Sequence, residues 1–203
     1  MKKFLIILLS LLLICNLSLA EDAVTSATLK IDTLPAVEAQ DNGILVVYFS
    51  PDDTVRAAAY AIASALSAEL FEIVPEELYT ADDLNYFNNN ARSMVEMRDN
   101  QARPAISALP EDLNRYETVI LGYPIWGGQA PKIISTFLES VDLSGKTIIP
   151  FCTSNSSGIG SSDTALHSLT DDSAVWQKGT RIKKGSTAEE IAAWAEGLIK
   201  SPN

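Results

Sequence analysis

Three short stretches of this sequence arrange side chains and glycines in ways that suit binding. The first, Ser50-Pro51-Asp52-Asp53-Thr54-Val55, is a polar turn between an apolar run and an alanine-rich segment. Where a strand feeds a helix, free backbone N–H groups and the positive end of the helix dipole converge, and such a turn suits an anion such as phosphate. Asp52 and Asp53 work against that use. As N-cap and first-turn acid of a helix beginning near Thr54 they stabilise it by about 1 kcal/mol, and the cap takes up amides that an anion would need. The second stretch, Pro124-Ile125-Trp126-Gly127-Gly128, sets a flat apolar ring between a proline and two glycines. A platform open to a planar ligand is favoured over a tryptophan that fills a loop end, because glycines let a second plane approach closely. The third stretch runs from Thr153 to Ser162 and offers hydroxyl, amide and backbone groups at Thr153, Ser154, Asn155, Gly158, Ile159 and Gly160.

Other candidate chemistry has a plainer explanation. Cys152 closes an apolar run with no basic neighbour to lower its pKa, so it reads as a small core residue. His167 is the single histidine, and one histidine cannot make the usual transition-metal site. Gly158-Ile159-Gly160 lacks the third glycine and following acid of a dinucleotide fingerprint. Arg103 reads as a structural anchor for a long loop. There is no GxSxG elbow and no pair of catalytic acids, so neither a catalytic residue nor a metal ligand is expected.

The elements that must position the three stretches alternate strand and helix. Ile44 to Phe49 is a continuous apolar run suited to a strand covered on both faces, and Val55, Ala58, Ile62 and Leu66 trace a helical stripe. Glu69 to Val74 alternates like a strand near the sheet edge, and Pro75 ends it. Between residues 75 and 116 the pattern is irregular. Asp82 or Asp83 is placed to cap a helix through Asn100, with Asn88, Asn89 and Asn90 weakening its middle. Thr118 to Tyr123 and Thr147 to Cys152 are further buried strands, and Ala130 to Val141 is the helix between them, with Pro131 in its first turn. A short helix capped by Ser162 or Asp163 runs to Leu169, and Ala174 to Lys183 reads as one last edge strand. Thr187-Ala188-Glu189-Glu190 opens the final helix, which runs to Ile199. The pattern predicts an α/β three-layer sandwich, a five-stranded parallel sheet of order 2-1-3-4-5 with helices on both faces. Ligands bind such sheets where the strand order reverses, and all three polar loops share that edge.

Residues 1–20 read as a secretory signal: Lys2 and Lys3, an apolar core from Phe4 to Ile14, and small residues at Ser18-Leu19-Ala20. A lipid anchor at Cys15 is the lesser reading, because bulky Ile14 precedes it where a small residue is expected. Residues 21–42 read as a flexible linker and 43–203 as one domain. The expected location is periplasmic or extracellular, with no membrane span once the signal is cut. The formal net charge is −11, and removing Lys2 and Lys3 makes the remainder more acidic still, which argues against nucleic acid or an anionic membrane as partner. With Cys15 removed Cys152 has no disulfide partner, so the hydrophobic core alone must hold the fold.

VVYFS in the first strand, LGYPIWGGQAPKIISTFLES, SGKTIIPFCTSNSSGIGSS, and Asn90-Ala91 separated from Arg103-Pro104 by an insertion together resemble bacterial flavodoxin-like proteins that bind FMN. The likeness covers roughly residues 43–162 and, more loosely, the C-terminal helix. It implies a flavodoxin-like fold with Trp126 against the isoalloxazine ring and Pro124, Ile125, Gly127 and Gly128 shaping the backbone beside it. Thr153, Ser154, Asn155, Gly158, Ile159 and Gly160 would form the opposite wall, and Ser50 to Val55 would hold the phosphate. In the family that first loop is rich in Ser, Thr, Gly and Asn. Here Asp53 stands for a glycine and Val55 for a hydroxyl, and a carboxylate ~5 Å from a phosphate costs roughly 3 kcal/mol per charge pair at an effective dielectric of ~20. The implied function is electron transfer or flavin-dependent reduction, with an acidic surface steering a basic redox partner protein. The alternative is a flavodoxin-fold module that has lost FMN, or takes a phosphate-free flavin, and acts as a non-enzymatic binding protein outside the cytoplasm.

Overall fold

Apolar side chains that alternate between the two faces of the central strands set the architecture of the computed structural model, which describes residues 37–200. The expected signal segment, the linker as far as residue 36 and residues 201–203 lie outside the described residues. Six strands, β1 (Ile44–Tyr48), β2 (Glu69–Glu72), β3 (Thr118–Pro124), β4 (Thr147–Ser154), β5 (Val175–Trp176) and β6 (Thr180–Lys183), form one sheet. All pairings are parallel, in the order β2-β1-β3-β4-β5, with β6 also beside β4. The helices are α1 (Asp53–Leu66), α2 (Arg92–Arg98), α3 (Lys132–Ser140) and α4 (Ala188–Lys200). On one face Val46, Tyr48, Ile120 and Phe151 pack with α1 and α4. On the other, Leu45, Val47, Phe49, Val119, Leu121 and Tyr123 pack with α3 and the 3-10 turn Thr164–Leu169. Each central strand is thus covered twice, which is why β1, β3 and β4 read as unbroken apolar runs.

The fifth position of the sheet departs from the expected single strand Ala174–Lys183. It is two pieces: β5 pairs with Thr147 and Ile148, and β6 with Phe151 to Ser154. The Gln177 N–H donates to the Ile148 carbonyl at 2.9 Å. The next rung of a parallel ladder requires residue 150 to donate to Gln177, and Pro150 has no N–H to give. Gly179 lies in the gap, where an added Cβ would stand 2.3 Å from the Ile159 side chain and 2.9 Å from Pro150. The broken strand thereby lets Ile159 of the third loop come down close against the backbone of Gly179.

Three further expectations are corrected. The helix expected from Asp82 or Asp83 to Asn100 is limited to α2, and Asn88 to Asn90 fall in turns before it, held by side-chain bonds such as Asn90 N–H to Asn88 Oδ1 at 3.0 Å. Strand β2 ends at Glu72, two residues short of Val74. The described end of the linker is tied down rather than free: the Gln40 N–H donates to the Ser67 carbonyl at 2.8 Å and Asn42 Nδ2 to the Leu66 carbonyl at 2.7 Å. The final helix follows its reading closely, since the Thr187 and Glu190 side chains accept each other's backbone N–H in a capping box.

Candidate functional site

The loops after β1, β3 and β4 meet at the carboxyl edge of the sheet, where the order turns from β1 toward β2 on one side and β3 on the other. Ser50 to Thr54, the residues after Tyr123 and those after Thr153 are therefore brought together by topology. A direct contact joins the outer two, with Thr54 Oγ1 3.3 Å from Thr153 Oγ1.

The first loop is closed by its own side chains. Asp52 is the N-cap of α1, and its Oδ1 accepts from the Thr54 N–H at 3.3 Å and from the Thr54 hydroxyl at 2.6 Å. Ser50 is buried; its hydroxyl donates to the Asp52 carbonyl while its Oγ accepts the Arg56 N–H at 3.0 Å. Asp53 pairs with the Arg56 guanidinium at 2.6 Å, whose other arm reaches Glu72 at 2.5 Å. Glu72 also accepts from the Tyr48 hydroxyl at 3.1 Å. Burial first, and then the Glu72 carboxylate, raise the Tyr48 phenol above its ordinary value, while the hydrogen bond to Glu72 raises that of Arg56. Arg56 is thus a fixed counter-charge for two carboxylates. Val55, expected within this site, turns its side chain into the core and is fully buried, so only its backbone can serve the site.

The second loop is a two-residue hairpin turn. The Trp126 N–H donates to the Gln129 carbonyl at 3.0 Å and the Gln129 N–H returns a bond to Trp126 at 2.9 Å. Gly127 and Gly128 take φ of +54° and +84°, the left-handed pair that a tight turn of type I′ demands. The two glycines are there first for the turn, and the room for a planar ligand is a consequence: a Cβ added at either would meet nothing within 4 Å. Trp126 is half-buried and leans on Phe49 and Tyr79, with ring centroids 5.7 and 5.4 Å away at steep interplanar angles. Pro124 is buried as the last residue of β3, opposite Thr153, and Ile125 donates its N–H to the Thr153 carbonyl at 3.1 Å.

Tyr79 was not legible as a site residue. It comes from the irregular segment after β2 and is held by α2: its hydroxyl donates to Glu96 at 2.5 Å, and the Arg92 guanidinium lies 4.2 Å over its ring. Burial, then the Glu96 contact, raise its pKa above the ordinary phenol value. Arg56 and Glu72 were likewise missed, one lying in a helix and the other in a strand. A cleft of about 300 Å3 opens beside the first loop, lined among others by Ser50, Pro51, Arg56, Glu72, Leu78 and Tyr79.

In the third loop Thr153 is buried, while Asn155, Gly158 and Gly160 are exposed. The Ser154 hydroxyl donates to the Ser157 carbonyl and Arg181 to that of Ser156, which hold the loop tip. Ser162 donates to the Ile159 carbonyl at 2.6 Å and lies 3.2 Å from the Tyr123 hydroxyl. Burial pushes the Cys152 thiol up to about 12, in keeping with a core residue. Arg103 makes a two-armed pair with Glu139 of α3, at 2.5 and 2.7 Å, and so anchors the loop before β3. His167 stacks on Trp176 with centroids 4.6 Å apart. Among the described residues no cluster of three or more His, Cys, Asp or Glu is placed to hold a metal, and no helix is long and apolar enough to cross a membrane.

A flavodoxin family model matches residues 43–198. The chain belongs to the flavodoxin family. Among solved structures it is similar to a Bacteroides eggerthii protein classed as a flavoprotein, at 40% identity and a TM-score of 0.70 over 77% of this chain and 97% of that one. A Bacteroides uniformis protein classed likewise gives 40% identity and 0.71 over 75% and 97%. A Lactobacillus acidophilus flavoprotein solved in complex with FMN shares the fold at 22% identity, TM-score 0.54, over 75% and 97%. No curated protein matches the chain.

Set against FMN, the two ends of the site behave differently. The hairpin beside Trp126, whose preceding residues pair with Thr153, has open space at its two glycines that leaves room for the ring. The first loop suits the phosphate poorly, because the Thr54 and Arg56 N–H groups and the Ser50 and Thr54 hydroxyls already have acceptors within the loop and two exposed carboxylates stand beside them.

Proposed function

We propose that this flavodoxin-family protein holds a flavin by its ring, between the Trp126–Gln129 hairpin and the third loop, and serves electron transfer or flavin-dependent reduction outside the cytoplasm. The observation that carries this reading is the hairpin itself: an aromatic side chain braced by Phe49 and Tyr79 stands next to an open turn at the switch point of the sheet. Trp126, with Gly127 and Gly128, would bound one side of the ring, and Thr153 with the loop to Gly160 the other. A bound flavin would supply hydride or single-electron chemistry at its ring edge. The protein's part is to orient the ring and exclude water, which a braced, partly apolar wall does well. The location outside the cytoplasm rests on residues 1–20, and the excess of acidic side chains suits encounter with a basic partner protein.

The test is to purify the protein, look for flavin absorbance, and titrate the flavin-free form with flavins while following quenching of their fluorescence. Binding at low micromolar concentration or tighter supports the reading. A folded protein that takes no flavin at tens of micromolar removes it and leaves the non-enzymatic binding module.

A further inference from the structure

We infer that the first loop excludes phosphate, so that the flavin taken by this protein is one whose side chain ends in an alcohol, of the riboflavin type, and not FMN. The inference rests on the flavin reading above and names the ligand class for the same site. Four observations on the loop converge. The first is the use of its donors: the Thr54 N–H is given to Asp52, the Arg56 N–H to Ser50, and both the Ser50 and Thr54 hydroxyls donate to Asp52. The second is its backbone. A phosphate nest of the αR-αL kind needs a residue in the left-handed region, and without one the loop has only its turn and the helix N-terminus that Asp52 caps to offer an anion. Among the described residues only Ser67 and six glycines have positive φ, and none of these lies between residues 50 and 55.

The third observation is charge. Asp52 and Asp53 are exposed at the loop, and the nearby cation, Arg56, is already shared between Asp53 and Glu72. Turning Arg56 toward a phosphate would strip both carboxylates of their partner. The fourth is closure: Thr54 and Thr153 touch across the gap between the first and third loops at 3.3 Å. A terminal hydroxyl changes the sign of the interaction. An alcohol is neutral and donates a hydrogen bond, which a carboxylate such as Asp52 or Asp53 accepts, whereas a phosphate dianion brings only further acceptors and like charge.

The experiment is a paired titration of the flavin-free full-length protein with riboflavin and with FMN in the same low-salt buffer, the fold being checked by circular dichroism. Riboflavin is expected to bind at least tenfold more tightly than FMN, with the gap narrowing as salt screens the repulsion. Equal or tighter binding of FMN overturns the inference while leaving the flavin reading in place. Failure of both flavins to bind a folded protein removes the flavin reading itself and the inference with it. The double variant D52T/D53G should gain at least tenfold in FMN affinity while riboflavin, which loses a carboxylate acceptor for its terminal hydroxyl, gains nothing. Since losing the cap weakens α1, Asp53→Asn serves as a second variant that keeps Asp52 in place, and it should move the FMN-to-riboflavin ratio the same way. A ratio unmoved in both folded variants contradicts the inference.

Discussion

The first loop and the Trp126–Gln129 hairpin each follow a buried parallel strand at the same sheet edge, yet they satisfy their backbone in opposite ways. The first uses side chains, with Ser50 and Asp52 occupying the amides of the helix that follows. The second is closed by backbone bonds and two left-handed glycines, so no side chain is needed to satisfy its turn. A loop closed by its own carboxylates gains stability and loses capacity for an anion. A loop closed by backbone alone keeps an open surface. Between relatives of one fold, then, cap residues can differ at a binding edge without altering the sheet.

The comparison breaks most severely at the residue both regions share. Phe49 is buried beneath Tyr79 and Trp126 and directly precedes Ser50. Phe49→Ala should cost about 4 kcal/mol in urea unfolding and weaken all flavin binding. On the hairpin side, Gly127→Ala with Gly128→Ala should cost about 2 kcal/mol, because each left-handed position penalises a Cβ by about 1 kcal/mol. Ring binding should fall for riboflavin and FMN alike. On the first-loop side, Asp52→Ala should lose about 1 kcal/mol of stability with the cap yet raise FMN affinity, since an amide and a charge are both released. Stability and FMN binding moving in the same direction would contradict the division between the loops.

The smallest effect concerns the support rather than the site. Hydrogen bonding to Arg103 holds the Glu139 carboxyl below its ordinary value, so its contribution is present above the unfolded-state pKa and fades as pH falls through the folded-state one. Arg103→Ala should therefore cost about 0.5 kcal/mol near neutral pH and progressively less as pH falls through the depressed folded-state pKa of Glu139. A cost independent of pH would mean that Arg103 acts through packing alone.

Much of this molecule was legible in its residues, for reasons that the comparison of loops makes clear. The buried central strands followed from three unbroken apolar runs, the sheet order from the alternation of strands with helices, and the Asp52 cap from an acid standing just before a helical stripe. What escaped was set by neighbours in space. The break in the fifth strand is caused by Pro150, which belongs to β4, and no reading of residues 174–183 alone contains it. Tyr79 enters the site because α2, a helix shorter than its pattern suggested, supplies Glu96 and Arg92 to hold it. Gly127 and Gly128 were singled out for access, whereas the structure shows the turn that requires them.

We propose that this flavodoxin-family protein keeps the ring site of a flavin and has closed the phosphate site. The most direct measurement is to isolate the protein from the cells that make it, release any bound flavin by denaturation, and identify it by mass. An unphosphorylated flavin in near-equal amount to protein is the predicted result. FMN in that amount would contradict the account.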